Sequence, residues 1–443
     1  MNLRTRRLLP LLLCLVILAA GCAGDGGNNE ENGDDAQTGP VFGSADLEQM
    51  VLAETDAPEG LVFDEHASGP ITVYSFLPDD DRRQVAMDNG FELAVTSEYN
   101  APPPADPAAP PEPVSDLNTT RLISDAAVFS GAEGASAVFS YLQDHGNPEA
   151  VERTSEPVEG LGDEAYSALA IFQDPGRPKL FSYSYQWRIG NTVGLLVVQS
   201  PKEADRGGPA EADMLALAKD IVAQAPEQPS GEEIPIPPEG TPGEVLFEDD
   251  FENEDSGWEL KSPSDPPGSE SAYVNGQFRL TVDKAGGGRF NDTGGIAKEF
   301  ADFTDTSIEV DAENAGGQEE AGWGLMCREQ GGKTFYAFIV SGAGRAYIVK
   351  NTAPDQPFSF LATLSPSEDL ASAFEGPHQL RADCVGDDIV RLSLYVNGEL
   401  VAEAFDDDPF PRGAAGLWSE SPPEVGAEIL YDNFVVKEAA PAE

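Results

Sequence analysis

At 443 residues the chain has room for two domains of ordinary size, and its 79 acidic against 26 basic residues give a net charge of −53. Such a chain repels phosphate backbones and anionic headgroups, which argues against nucleic-acid binding and electrostatic docking on a membrane. The same carboxylates hold water, so the acidity reads either as adaptation to high salt or as a plain solubilising coat.

In chain order, Arg4, Arg6 and Arg7 precede an apolar stretch, Leu8 to Ala20, that is short for a membrane span. It closes on Leu18-Ala19-Ala20-Gly21-Cys22, which resembles the bacterial lipobox, with alanine at 19 where leucine is commoner. The resemblance implies a signal peptide over 1–21 and a diacylglyceryl group on Cys22. The protein is then lipid-anchored at the cell membrane and faces outside the cytoplasm, since two acyl chains anchor stably where one does not. Residues 22–41 are rich in Gly, Asn, Asp and Glu and cannot bury a core, so they read as a disordered tether.

Residues 42–225 mix helix and strand. Ser44 can cap a short helix with Leu47, Met50 and Val51 on one face, and Asp80 to Asn89 forms a second helix closed by Gly90. Phe91 to Tyr99 and Arg121 to Ser130 read as strands, separated by a proline-rich loop from Ala101 to Val114. A helix over Gly134 to His145 ends at Gly146. Strands follow at Ala165 to Phe172, Leu180 to Arg188 and Thr192 to Gln199, the last two joined at Gly190-Asn191, before a helix from Pro209 to Ala225. Grouped helices and meandering strands predict an α+β domain. The element order, with Gly160 to Ala165 (GLGDEA) ahead of the strands, resembles PsbP-type or kinase-associated sensor domains of actinobacterial lipoproteins.

Residues 226–243, acidic and proline-rich, read as a semi-rigid linker. Residues 244–438 are all-β, with a short tail over 439–443. Asn275-Gly276 and Asn397-Gly398 are two-residue hairpin turns, favoured because both positions take positive φ. Ile308, Val310 and Ala312 alternate with Glu309, Asp311 and Glu313; Val390, Leu392, Leu394 and Val396 alternate with Arg391, Ser393 and Tyr395. Phe335 to Val340, apolar on both faces, suits a covered central strand. Together these predict a two-layer sandwich.

The segments FEDDFENEDSGW (Phe247 to Trp258), YVNGQFRL (Tyr273 to Leu280), GWGLMCRE (Gly322 to Glu329), FYAFIV (Phe335 to Val340), LYVNGELV (Leu394 to Val401), GAAGLW (Gly413 to Trp418) and YDNFVV (Tyr431 to Val436) follow in order. They resemble the concanavalin A-like jelly roll of the laminin-G and keto-glycoside-hydrolase-like group. The fold expected is therefore multidomain: an N-terminal α+β domain and then an all-β jelly-roll sandwich. That resemblance leaves function open, because this fold serves lectins, hydrolases and adhesion modules alike.

Of the four cysteines, Cys14 leaves with the signal peptide and Cys22 carries lipid, so Cys327 and Cys384 remain as an even pair where oxidising conditions favour a disulfide. Each shares a face with apolar neighbours, so the thiols can meet in the core. His66, His145 and His378 are scattered and lack a second ligand at metal spacing.

Glu309-Val310-Asp311-Ala312-Glu313 resembles the E-x-D-x-E strand of jelly-roll β-glucanases, which would make Glu309 the nucleophile and Glu313 the acid/base. Retention needs two carboxyls about 5 Å apart, whereas Cα atoms four residues along a strand lie about 13 Å apart. An acidic row is also what a solvated strand shows in so acidic a chain. Asp249, Asp250 and Asp432, at the first and last strands, could converge on a structural calcium, the one cofactor considered; simple acidic turns are the alternative. Trp258, Trp323, Tyr395 and Trp418 could stack on sugars, although strand aromatics are mostly core. The leading expectation is a non-enzymatic binding or sensing lipoprotein whose jelly roll recognises a glycan or a protein partner. A glycoside hydrolase and an envelope scaffold are the rivals.

Overall fold

The computed structural model describes residues 40–101, 120–173, 179–200, 211–258, 260, 269–282, 291–296, 303–317, 319–331, 334–352, 358–421 and 426–441. Cys22 with the expected signal peptide, the tether up to residue 39, and nearly all of the proline-rich loop lie outside the described residues.

The first lobe carries β1 (Val62–Phe63), β2 (Gly69–Ile71), α1 (Val73–Phe76), α2 (Asp80–Asp88), β3 (Phe91–Asn100), β4 (Arg121–Phe129), α3 (Ala132–His145), β5 (Glu152–Pro157), β6 (Glu164–Phe172), β7 (Leu180–Ile189), β8 (Thr192–Ser200) and α4 (Glu211–Gln224). Its strands form one antiparallel sheet ordered β1-β3-β4-β8-β7-β6-β5, with β2 also on β3. This is the α+β arrangement expected. Local chemistry sets the ends: the Asp79 side chain accepts from Arg82 N and caps α2, and Gly146 at φ 59° stops α3. Arg153 then donates to Leu142 O and Asp144 O, satisfying orphan carbonyls of α3. The helix expected behind Ser44 is instead a 3₁₀ turn, Ser44–Gln49, with Gly43 at its cap; the Ser44 hydroxyl is engaged with Glu233.

The second lobe holds β9 (Gly240–Asp249), β10 (Ser269–Val274), β11 (Gln277–Val282), β12 (Asn291–Ile296), β13 (Thr306–Gly317), β14 (Gly322–Glu329), β15 (Phe335–Ser341), β16 (Arg345–Asn351), β17 (Ser359–Thr363), α5 (Glu368–Ala373), β18 (His378–Val385), β19 (Val390–Val396), β20 (Glu399–Asp406), β21 (Ala414–Ser421) and β22 (Ala427–Pro441). One sheet runs β10-β11-β22-β13-β18-β19-β20, with β9 beside β22; the other runs β12-β21-β14-β15-β16-β17. Hairpins such as β14-β15-β16-β17 and β18-β19-β20 alternate with pairings of strands far apart in sequence, β11-β22-β13-β18 and β12-β21-β14, as in a jelly roll. Asn275 and Asn397 take φ near 54° and 51° ahead of their glycines, the hairpin geometry the dipeptides favour.

Between the sheets, Ile308, Val310, Leu380, Leu392 and Leu394 meet Trp323, Leu325, Phe338, Val340 and Ile348, all at 1% exposure or less. Cys327 of β14 and Cys384 of β18 are joined across this core, as expected.

The lobes do not stand apart. Helix α1 lies on the edge strands of both sandwich sheets: Thr72 Oγ1 donates to Glu403 O on β20 (2.7 Å) and Ser75 Oγ to Leu361 O on β17 (2.7 Å). Val73, Phe76 and Leu77 belong to the same buried cluster as the sandwich interior. Residues 226–239 form a strap packed into the junction. Ala45 N donates to Glu232 O and Ile234 N to Ser44 Oγ, while Ile234 and Ile236 pack with Leu47, Val51, Ile389 and Phe405. The segment expected as a semi-rigid linker is here a wedge, because its two isoleucines, set between prolines, are half-buried. Strand β9 starts at Gly240 and pairs with β22 out to Pro441, taking in residues on both sides of the 244 and 438 boundaries expected from sequence.

Candidate functional site

Strand β13 does place Glu309, Asp311 and Glu313 on one face, outward from the first sandwich sheet and half-buried. Glu309 Oε1 accepts from Lys437 Nζ at 2.7 Å, and Asp311 Oδ2 from Asn433 Nδ2 at 2.9 Å. A register shift against β22 falls between these two acids. Across the next strand Arg381 lies 3.5 Å above the Tyr395 ring, so Tyr395 is covered rather than offered to a ligand. The face is polar and ion-paired.

The three aspartates considered for calcium lie at the end of β9, just after it and on β22, but each serves its own turn. Asp249 accepts from Phe251 N and from Trp258 Nε1, both at 2.8 Å, which occupies both its oxygens. Asp250 accepts from Glu252 N and Asp432 from Asn433 N. Burial, with Asp311 and Asp250 nearby, raises the Asp432 carboxyl. Among the described residues no three acidic, histidine or cysteine side chains converge as a metal site would require, so these residues do not fit the ion.

Two of the four aromatics are core. Trp258 packs among Phe251, Phe278 and Phe434, and Trp323 donates its indole N–H to His378 Nε2 at 2.9 Å. His378 Nδ1 in turn donates to Gly376 O, and burial pushes its pKa below the usual value, so it is a neutral structural histidine.

The arrangement best suited to a ligand lies on the outward face of the second sheet. Glu420 of β21, 4% exposed, accepts from the Tyr347 hydroxyl and from Trp418 Nε1. Burial and this carboxylate raise the Tyr347 pKa, which keeps the phenol a donor. Phe360 stands 5.8 Å from the Tyr347 ring and is 48% exposed, the one aromatic among the exposed large hydrophobics of the described residues. Ser341 Oγ and Asn351 Oδ1, on neighbouring strands of the same face, are buried with no hydrogen-bond partner. Trp418 is here too, held between Phe335 and Phe358.

Of this group sequence reasoning singled out only Trp418. Phe360 was hidden by a bulge: Ile348 pairs with Ala362 but Val349 with Phe360, so Ala362 points into the core and Phe360 out of it. Strict alternation would have put them on one side. The set combines a stackable ring with fixed acceptors behind it, which suits the apolar face and hydroxyl edge of a sugar.

No family model matches the sequence, and no curated protein does. Solved structures with a similar fold include a carbohydrate-binding module, CBM66, from Bacillus subtilis (18% identity, 41% of this chain and 96% of that one, TM-score 0.31). Others are the laminarinase catalytic domain from Thermotoga maritima (10% identity, 44% and 98% covered, TM-score 0.33) and a GH16 protein of Bacteroides ovatus with bound product (11% identity, 43% and 100% covered, TM-score 0.30). These are carbohydrate-binding or glycoside-hydrolase proteins; the assignment of a jelly roll here rests on the strand order itself.

Proposed function

We propose that the protein is a membrane-anchored, extracytoplasmic lipoprotein that binds a glycan, without cleaving it, through the outward face of its second sandwich sheet. The observation that carries this is the exposed Phe360 ring beside Tyr347, with the Glu420 carboxylate fixed behind it. Anchoring is supported by the arginine-rich start and the small-residue run into Cys22. No helix of the described residues is long and apolar enough to cross a membrane.

Binding rather than hydrolysis is favoured because Glu309, the residue a hydrolase would use as nucleophile, is held 2.7 Å from Lys437 Nζ in an ion pair that a sugar would have to displace. A glycan array on protein lacking the tether tests the proposal. Phe360→Ala and Glu420→Gln should each lower affinity at least about tenfold, the value of one stacking or buried hydrogen-bonding contact. Glu309→Gln and Glu313→Gln should leave it unchanged. Hydrolysis that disappears in both of the latter variants would establish the enzyme instead.

A further inference from the structure

We propose that the seam between the strap and the first sandwich sheet is an acid-tightened latch, in which protonation of Asp383 closes residues 234–240 onto the sheet and its ionisation loosens them. Asp383 stands on the outward face of β18 and is 1% exposed. The end of the strap sits directly on it: a methyl group added to Gly240 would come within 3.4 Å of the Asp383 side chain and 2.9 Å of Val385. One added to Gly386 would collide with Pro237 at 2.5 Å. The carboxylate is poorly served in this position. Among the described residues no donor meets either oxygen at full hydrogen-bonding geometry: the Ser307 hydroxyl lies beside it on β13, and Arg381 Nη2 stands 3.4 Å away, partly committed to the Tyr395 ring.

Every element around the seam adds charge to it. Glu309 and Ser307 face it from β13, with Lys437 of β22 tied to Glu309. Tyr395 and Arg391 face it from β19, the latter 3.4 Å from Glu403 of β20, which is itself buried. From the strap comes Glu239, which acts on Asp383, Glu403 and Tyr395 together, and on Tyr74 of α1. Burial pushes the Asp383 carboxyl up to about 6; Glu309 and Glu239 add to this, while Ser307 and Arg381 pull the other way. Glu403 is raised by burial as well.

The direction follows from linkage. A carboxyl with an ordinary value of 3.8 when the strap is lifted and about 6 when it is closed binds its proton more tightly in the closed form. Closure is then strongest in acid and weakens as pH rises through about 6, up to about a hundredfold in the closing equilibrium for two pKa units. The strap links the lobes, so the same titration loosens the wedge formed by Ile234 and Ile236.

Hydrogen exchange on the Ile234, Ile236, Glu239 and Gly240 amides, corrected for the pH dependence of chemical exchange, reads the latch directly. Protection should be about tenfold greater at pH 5 than at pH 7.5 in the native sequence. Asp383→Asn, which mimics the protonated acid, should keep the acid level of protection at both values. The same pH ratio in both proteins would overturn the proposal. A carbon-13 titration of Asp383 in the unmutated protein provides a check that needs no variant: a midpoint near 6 supports the latch, and one near 4 sinks it.

Discussion

Asp125 lies on β4 with 7% of its surface exposed, and its Oδ1 has no hydrogen-bond partner. Burial raises its pKa to about 7, with Glu98 adding to the shift and Thr96 and Arg121 opposing it. Between its ordinary 3.8 and about 7 the folded protein holds a proton that the unfolded chain releases, so stability falls as pH rises across that window. Asp125→Asn should therefore stabilise the protein above pH 7, by an amount on the order of a few kcal/mol, and do little below pH 4. Urea midpoints measured at pH 4 and pH 8 check this; equal shifts at both would show that titration is not the cause. His378 works in the opposite sense. Its lowered pKa gives a contribution that is complete above about pH 6.5 and lost as acid charges the ring beside Trp323.

At the scale of elements, the disulfide between β14 and β18 ties the two sandwich sheets together at positions separated by 57 residues. Closing a loop of that length should stabilise the fold by about 4 kcal/mol through loss of unfolded-state entropy. Denaturant curves with and without reductant measure it, and two titratable thiols in denatured, unreduced protein would contradict the bond. This link was legible in the sequence, since each cysteine alternates with core residues and the expected signal peptide and lipid site left no other pairing. So were β13, β18 and β19, whose apolar residues recur at every second position, and the turns at Asn275 and Asn397. Elements whose reasons are tertiary were not legible. Strand β5 is polar along its length and exists because β6 offers it an edge. The four-residue α1 is too short to show a period and is held by the sandwich it covers. Composition marked 226–243 as a semi-rigid linker, because the prolines dominate it and the two alternate isoleucines are a short signal. The Phe360 face was not legible either: no strand was expected over 359–363, and a bulge there sets Phe360 and Ala362 on opposite faces.

Across the whole molecule, Thr38–Glu443 make one compact unit, so the Phe360 face and the first lobe belong to the same body. The lipid anchor proposed at Cys22 would attach that unit to the membrane through a run poor in apolar side chains. Cys22→Ala should move the protein from the membrane fraction to the soluble fraction, and detergent partitioning that does not change would refute the anchor. Its charge of −53 makes adhesion to anionic lipid a poor substitute for acyl chains, so the shift should be nearly complete.

The placement of α1 has a consequence for how this architecture can be inherited. A sandwich whose outermost strands end in open backbone invites pairing with strangers, and β17 and β20 are here shielded by a helix from elsewhere in the chain. Cut free at Gly240, the jelly roll would lose Val73, Phe76 and Leu77 from its own interior. Domains that travel between proteins as cassettes need self-sufficient borders. This one has surrendered its borders to its neighbour, so recombination could carry the pair intact but could not usefully part them.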